Sequence, residues 1–358
     1  MSAHPLAANE IDFSRLRLVS HEPLNAETIL THQMGVITPT AAFYVRNHLT
    51  LPTIDASAWK LSIEGEVKKP LELTYDALRA LPERSLLATL ECAGNGRAYL
   101  HPPAEGEDWH YGAVGTAEWT GVPLRRVLEQ AELLPSACEV MIEGADDGYH
   151  PKAGKRFSFV RSLPLEQALH PDTLLAYAMN GEPLTAQHGF PLRLIVPGWY
   201  GMASVKWIRR ITGLAQRFQG FFQVDQYVMT HPERGEAGKT PLTTMRVRSV
   251  ITTPAEGATL PRGRQVIRGL AWSGEASVSR VEVSMDNGAT WERARFTSEA
   301  LRYAWRAWEY QWDAAAPGPT TLQSRAFDEA GNTQPVTPEW NRLGYANNAI
   351  QRLQVTVS

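Results

Sequence analysis

The segment LECAGNGR, residues 90–97, sets a thiol, two glycines and a guanidinium within a few positions of one another. A thiolate is a soft ligand and binds a soft or high-valent metal well. Glycines beside it let the backbone approach a bulky group closely. Arg97 can add positive charge there without competing as a ligand. The apolar run LLATLE before Cys92 reads as a short buried strand, which leaves the cysteine at the strand's mouth. On its own, Cys92 reads more readily as a buried strand-end residue, since free cysteine is among the most buried residue types.

The elements that must position this segment alternate. WKLSIEGEV reads as a strand, and TYDALRALP as a short helix with Thr74 as N-cap. TGVPLRRVLEQAEL gives the clearest helix. Pro123 suits its first turn, and Leu124, Val127, Leu128 and Ala131 share one face. NAETILTHQ is weakly helical, PLEQAL is a shorter helix, and FPLRLIVPG and VKWIRRITGL read as strands. This mixture predicts an α+β domain over residues 41–235, preceded by an extension over 1–40. THPERGEAGKTPLTT, 230–244, is polar and rich in turn residues, which places a linker there. From about 240 to 358 the chain turns to short alternating strands. The Asn-Gly of MDNGATW marks a hairpin, so the prediction is an immunoglobulin-like β-sandwich. The aromatic run YAWRAWEYQW within it predicts buried core or interface.

Composition narrows the function. With 358 residues, 43% hydrophobic and 20% charged, two packed domains are expected. Net charge is −3, from 35 basic against 38 acidic residues, so nothing in bulk points to nucleic acid or an acidic membrane surface. Any anion site must come from local clustering. Two cysteines without a CxxC pattern exclude a disulfide framework, a covalent haem site and a thiolate zinc site. Cys138 reads as a small core residue. No apolar run approaches the ~20 residues of a membrane span. The stretch MSAHPLAANEIDFSRLRL carries no signal pattern. The expectation is a cytoplasmic protein if Met1 is the native start, and a periplasmic one if a signal was removed.

Five segments then decide between the readings of Cys92. FYVRNH (43–48), LECAGNGR (90–97), EGADDGY (143–149), AYAMNGEPLTAQHGFPLRLIVPGWYGMASVKW (176–207) and the tail PEWNRLGYANNAIQRLQV (338–355) resemble, in order and spacing, the sulfite oxidase family of molybdenum enzymes. The resemblance implies a mixed α/β molybdopterin-binding domain followed by an immunoglobulin-like domain that mediates a homodimer. It implies that Cys92 ligates molybdenum, that Arg46 and Arg97 face the substrate, and that Tyr227 and Trp109 shape the pocket. Asn47, His48, Asp146, His188, Arg193, Ser204 and Lys206 fall where the family grips the cofactor. The physical need for arginine is plain: sulfite is an anion, and a guanidinium stays protonated and forks onto oxyanions.

The implied reaction is oxidation of sulfite to sulfate, with oxygen-atom transfer at molybdenum and electrons passed to an external acceptor such as cytochrome c or dioxygen. A sulfane dehydrogenase and a metal-free binding protein of the same fold stay open as alternatives. A methionine-sulfoxide-reductase subunit lacks the second domain, and nitrate reductases add haem and flavin domains that this chain has no room for. Two features depart from the family's vertebrate members. Their tail motif carries an arginine where this chain has Leu343, with Arg342 one residue earlier. Their additional haem domain has no counterpart here.

Overall fold

Strands carry this chain, and the reason lies in its period-2 patterning. A computed structural model describes residues 11–33, 35–230 and 238–358. Among these, the longest α-helix, Leu124–Ala131, has 8 residues. It buries Leu124, Val127, Leu128 and Ala131 on one face, as its spacing predicts. Pro123 closes the preceding strand and serves as the N-cap, one place before the expected first turn. Thr74 caps Tyr75–Arg79, its hydroxyl accepting from the Ala77 amide at 3.2 Å.

Two five-stranded sheets frame the first part of the chain. In one, Arg84–Glu91 pairs Val114–Pro123, which pairs Leu174–Met179; Leu174–Met179 also pairs both Glu182–Pro183 and Arg193–Ile195. The other runs Leu71–Thr74, Lys60–Gly65, Ile208–Leu214, Glu139–His150, Lys155–Pro164. Its Lys60–Gly65 and Ile208–Leu214 strands are parallel, the rest antiparallel. Glu139–His150 buries every second residue, so Val140, Ile142, Gly144 and Asp146 share the inner face. An irregularity between Glu143 and Asp147 interrupts its pairing with Lys155–Pro164 beside that carboxylate.

From Arg248 onward the chain forms the expected sandwich. One sheet comprises Arg248–Thr253, Gly263–Trp272, Arg306–Ala314 and Arg295–Phe296. The other comprises Thr259–Leu260, Gln351–Val357, Gly318–Asp328, Val278–Ser284 and Glu292–Arg293. Gln351–Val357 alternates strictly between buried and exposed residues, and Val281, Val283, Trp308, Leu322, Leu353 and Val355 fill the space between the sheets. Asn287 and Gly288 both take positive φ, as the hairpin prediction requires. Trp305 and Trp308 are fully buried: Trp308 lies in the sandwich core, and Trp305 packs with Trp272 in the cluster shared with the first part of the chain.

Several expectations need correcting. NAETILTHQ does not form a helix: Asn25–Thr28 is a buried strand, paired with Leu16–Ser20 and bonded through Ala26 to Val45 in both directions. That tertiary pairing overrides a weak local preference. Only Leu30–His32 makes a 3₁₀ turn. FPLRLIVPG is strand only over Arg193–Ile195. Part of the expected linker is ordered as well, since Lys239–Pro241 pairs Val228–Thr230; residues 231–237 lie outside the described residues. Cys138 is exposed: its amide reaches the Leu214 carbonyl at 2.7 Å, which turns the side chain outward.

Candidate active site

The strand Arg84–Glu91 delivers Cys92 to the floor of a cleft between the two sheets. The cleft holds about 670 Å³ of space, part of it open to solvent. Its walls include Arg46, Asn47, His48, Cys92, Asp146, His188, Arg193, Ser204, Lys206 and Tyr227, brought together from five separate stretches of chain. Ten of the twelve residues singled out from sequence therefore meet in one place. Arg97 stands just behind the cysteine. Trp109 is fully buried in the cluster that contains Cys92 and Phe43 and does not line the cleft.

The cysteine loop is closed by its own side chains. The Cys92 amide donates to the Ala113 carbonyl at 2.8 Å, and the Asn95 amide to the Cys92 carbonyl at 2.9 Å. Asn95 Nδ2 donates to Glu91 Oε1 at 2.9 Å, and Asn95 Oδ1 accepts from the Ala113 amide at 3.1 Å. Arg97 is fixed in place: Nη1 donates to the Glu107 carbonyl at 2.7 Å and Nε to the Leu343 carbonyl at 2.9 Å. Glycines 94 and 344 make room for it, since a Cβ at either would strike the Arg97 side chain. Burial pushes the Cys92 thiol up, while Arg46 and Arg97 draw it down.

A second arginine holds the loop from the sandwich. Arg248 Nη1 donates to Glu91 Oε1 at 2.8 Å and to the Asn95 carbonyl at 3.2 Å, and Trp272 Nε1 donates to Glu91 Oε2 at 2.9 Å. Gly96 has φ +83°, and a Cβ there would collide with the Arg248 guanidinium.

The remaining basic side chains in and around the cleft have no carboxylate partner among the described residues. Among the described residues, none of Arg46, Arg97, Arg161, Arg193 and Lys206 forms an ion pair. Arg193 donates to the His188 carbonyl at 3.0 Å and to the Ser204 carbonyl at 3.4 Å, and its Nε has no partner. Burial pulls Arg193 down to about 10. Lys206 donates to Asn47 Oδ1 and, at 2.9 Å, to the Gln187 carbonyl; burial and then Arg193 hold it well below the usual lysine range. His188 Nε2 meets the Thr40 carbonyl at 3.2 Å, so that nitrogen carries the proton, and burial pushes His188 down to about 3. Asp146 is the opposite case. Its Oδ1 has no partner, and burial raises it to about 6. Ser204 spends its hydroxyl on the Val196 amide at 3.1 Å. Asn47 is anchored through its amide to Asn25 Oδ1 at 2.8 Å, which brings the N-terminal hairpin to the site.

On the other wall, His48 Nε2 and the Tyr227 hydroxyl hydrogen-bond, and His48 stacks on Phe159 with centroids 4.5 Å apart. Burial, reinforced by Arg46, keeps His48 neutral, well below its usual range. Tyr227 (φ 57°) and Trp207 (φ 53°) hold bulky side chains in the left-handed region, a conformation that persists only where packing imposes it. The sequence reading missed Arg161, Trp207 and Tyr345. Arg161 is buried with its guanidinium 5.9 Å from the Tyr227 ring, and Tyr345 stacks on that ring at 4.9 Å. No spacing rule marks them; Trp207 and Tyr345 lie inside quoted motifs, and Arg161 lies in none.

These features fit a molybdopterin. Cations without counter-charges suit its phosphate, an unsatisfied buried carboxylate suits a donor-rich pterin edge, and a lone thiol suits a metal that brings its other ligands with it. Among the described residues no group of three or more His, Cys, Asp or Glu could hold an ion unaided.

Comparison with known proteins agrees. Residues 48–222 match the oxidoreductase molybdopterin binding domain, and 239–358 the Mo-co oxidoreductase dimerisation domain. The mitochondrial sulfite oxidase of Homo sapiens is 35% identical over 100% of this chain and 68% of that protein. The sulfite oxidase of Gallus gallus is 35% identical over 97% and 79%. The sulfane dehydrogenase SoxCD from Paracoccus pantotrophus superposes with a TM-score of 0.85 at 31% identity, covering 99% of this chain and 94% of that one. Fold, cleft and both domain matches thus agree with the motifs, and the chain belongs to the sulfite oxidase family of molybdopterin oxidoreductases.

Proposed function

We propose that this chain oxidises a small sulfur oxyanion, sulfite to sulfate, and hands its electrons to an external acceptor such as cytochrome c or dioxygen. The observation that carries the reading is the surplus of buried cations around Cys92. A charge taken out of water without a counter-ion costs several kcal/mol, so a cleft holding several is built to receive anions.

Bound molybdopterin, with molybdenum on Cys92 Sγ, would supply the oxygen-atom transfer and take up the two electrons. The protein does the rest. Arg193 and Lys206 hold the phosphate, with Lys206 regaining its proton as the anion arrives. Asp146 accepts from pterin N–H groups, and the neutral His188 offers its second ring nitrogen, Nδ1, as an acceptor. Arg97 is held rigidly by two backbone carbonyls, so it meets the substrate already oriented. Arg46, half-buried on the facing wall, completes a positive field that draws an anion to an electron-rich centre.

Turning sulfite and water into sulfate releases two protons with the two electrons. Tyr227 and His48 form the hydrogen-bonded pair at the cleft that can pass one on, because a neutral His48 Nε2 accepts from the Tyr227 hydroxyl. The match of residues 239–358 to a dimerisation domain supports a homodimer. Oxidation of a sulfane sulfur is the second reading. It is favoured by Leu343, which leaves the cleft one arginine short, and by the whole-chain likeness to a sulfane dehydrogenase.

The test is to count molybdenum per chain and follow sulfite-dependent reduction of ferricyanide. Cys92→Ser should stay folded and lose turnover by more than about a thousandfold. Normal turnover in that variant refutes the assignment of Cys92. Absence of molybdenum from the purified protein favours a binding module, and molybdenum without sulfite turnover favours the sulfane reading.

A further inference from the structure

The tail that follows Trp340 meets Arg97 and Tyr227 through a residue other than Arg342 or Leu343. Arg342 points away: its side chain is 61% exposed and pairs at 2.9 Å with Glu105, which also takes Lys152 at 2.6 Å. Leu343 contributes only its carbonyl, to Arg97. Two residues on, Tyr345 turns inward. Its ring stacks on Tyr227, 23° from parallel, and the Arg97 guanidinium lies 5.4 Å from its centroid.

The backbone at Tyr345 is pinned on both sides. Asn341 Nδ2 donates to the Tyr345 carbonyl at 2.8 Å, and the Tyr345 amide donates to Asn341 Oδ1 at 2.9 Å. The next amide, Ala346, donates to the carbonyl of Ala93, the neighbour of Cys92, at 2.8 Å. Tyr345 is 5% exposed, yet among the described residues its hydroxyl makes no hydrogen bond. Burial raises it above the usual tyrosine range, and the charges acting on it are those of Tyr227, Arg97, Arg46 and Cys92. A rigidly held, neutral O–H donor therefore stands among the groups around the cysteine with no partner of its own.

We propose that Tyr345 determines specificity in this cleft: its hydroxyl donates a hydrogen bond to the bound sulfur oxyanion beside Arg46 and Arg97, where Leu343 supplies no third cation. This rests on the oxyanion reading given above. A neutral donor in place of a guanidinium lowers the positive charge facing the substrate, which favours a singly charged sulfur oxyanion over a doubly charged one.

Tyr345→Phe removes the hydroxyl and keeps the stack. In the molybdenum-loaded protein, KM for sulfite should rise about tenfold, with kcat within about threefold and the melting temperature unchanged, as fits one hydrogen bond to a charged group. Calorimetric titration of the same protein with sulfate should show affinity weakened about tenfold. KM and sulfate affinity within twofold of the parent overturn the proposal. So does a drop in kcat and melting temperature with sulfate affinity unchanged, which would make Tyr345 a packing residue. If the parent fails to turn over sulfite, the substrate reading fails, and the sulfate titration alone still decides the role of Tyr345.

Discussion

Arg248 and Arg193 are both buried, and they sit in opposite circumstances. Arg248 faces Glu91 at 2.8 Å, with each side chain 2% exposed, so charge is matched inside the protein even though Nε and Nη2 find no partner. Arg193 has only carbonyl oxygens, and with Arg97 it leaves positive charge unanswered. The first arrangement joins two parts of the molecule. The second is incomplete until an anion arrives. Two buried arginines can look alike in a sequence, and the presence or absence of a carboxylate beside them separates a structural role from a ligand site.

Breaking the matched pair should have the largest effect. Glu91→Gln leaves Arg248 buried without a counter-charge, and denaturant titration should show a loss of about 3 to 5 kcal/mol. A loss below about 1 kcal/mol would mean that water reaches the pair and that the contrast is overstated.

Next is Asp146, the cleft's unsatisfied acid. Its folded pKa, about 6, lies above its unfolded value, so the native state binds the extra proton. Taken alone, Asp146 therefore makes the cofactor-free protein lose roughly 2 to 3 kcal/mol as pH rises from about 4 to about 6, against the opposite trend from His188, whose folded value of about 3 lies below its unfolded one. The stability of the parent minus that of Asp146→Asn should therefore fall over this range; a difference that does not change with pH refutes the raised acid.

The smallest shift should come from Lys206→Met. Cofactor-free protein should gain about 1 kcal/mol, because an apolar side chain replaces an amine that burial keeps from its charged form. The same variant should retain much less molybdopterin after dialysis. Equal loss of stability and cofactor would place Lys206 with Arg248, as a structural cation.

What could be read without coordinates followed locality. The helix 124–131, the Thr74 cap, the Asn287–Gly288 turn and the strand ahead of Cys92 all declare themselves within a dozen residues. The alternation of Glu139–His150 likewise puts Asp146 on the inner face. The Glu91–Arg248 pair spans 157 positions, and no periodicity reports a contact of that reach. Asn25–Thr28 departs from the expected helix because its hairpin with Leu16–Ser20 and the bonds of Ala26 to Val45 outweigh a weak helical pattern. Trp109 belongs to the pocket only as the family resemblance implies, whereas its side chain is committed to the core cluster that contains Cys92. Tyr345 gives no local signal, because the groups it meets, Arg97 and Tyr227, lie far off in the sequence.

The meeting of Gly96 with Arg248 bears on how this molecule can be rebuilt. The thiol-bearing turn has no room for a side chain at its tip because the other lobe's guanidinium already occupies that space. Chimeras that exchange the C-terminal lobe between relatives must therefore carry three positions as one unit: the arginine, the glycine it displaces into and the glutamate it meets. Transplanting the lobe alone would leave the metal-binding turn without its template.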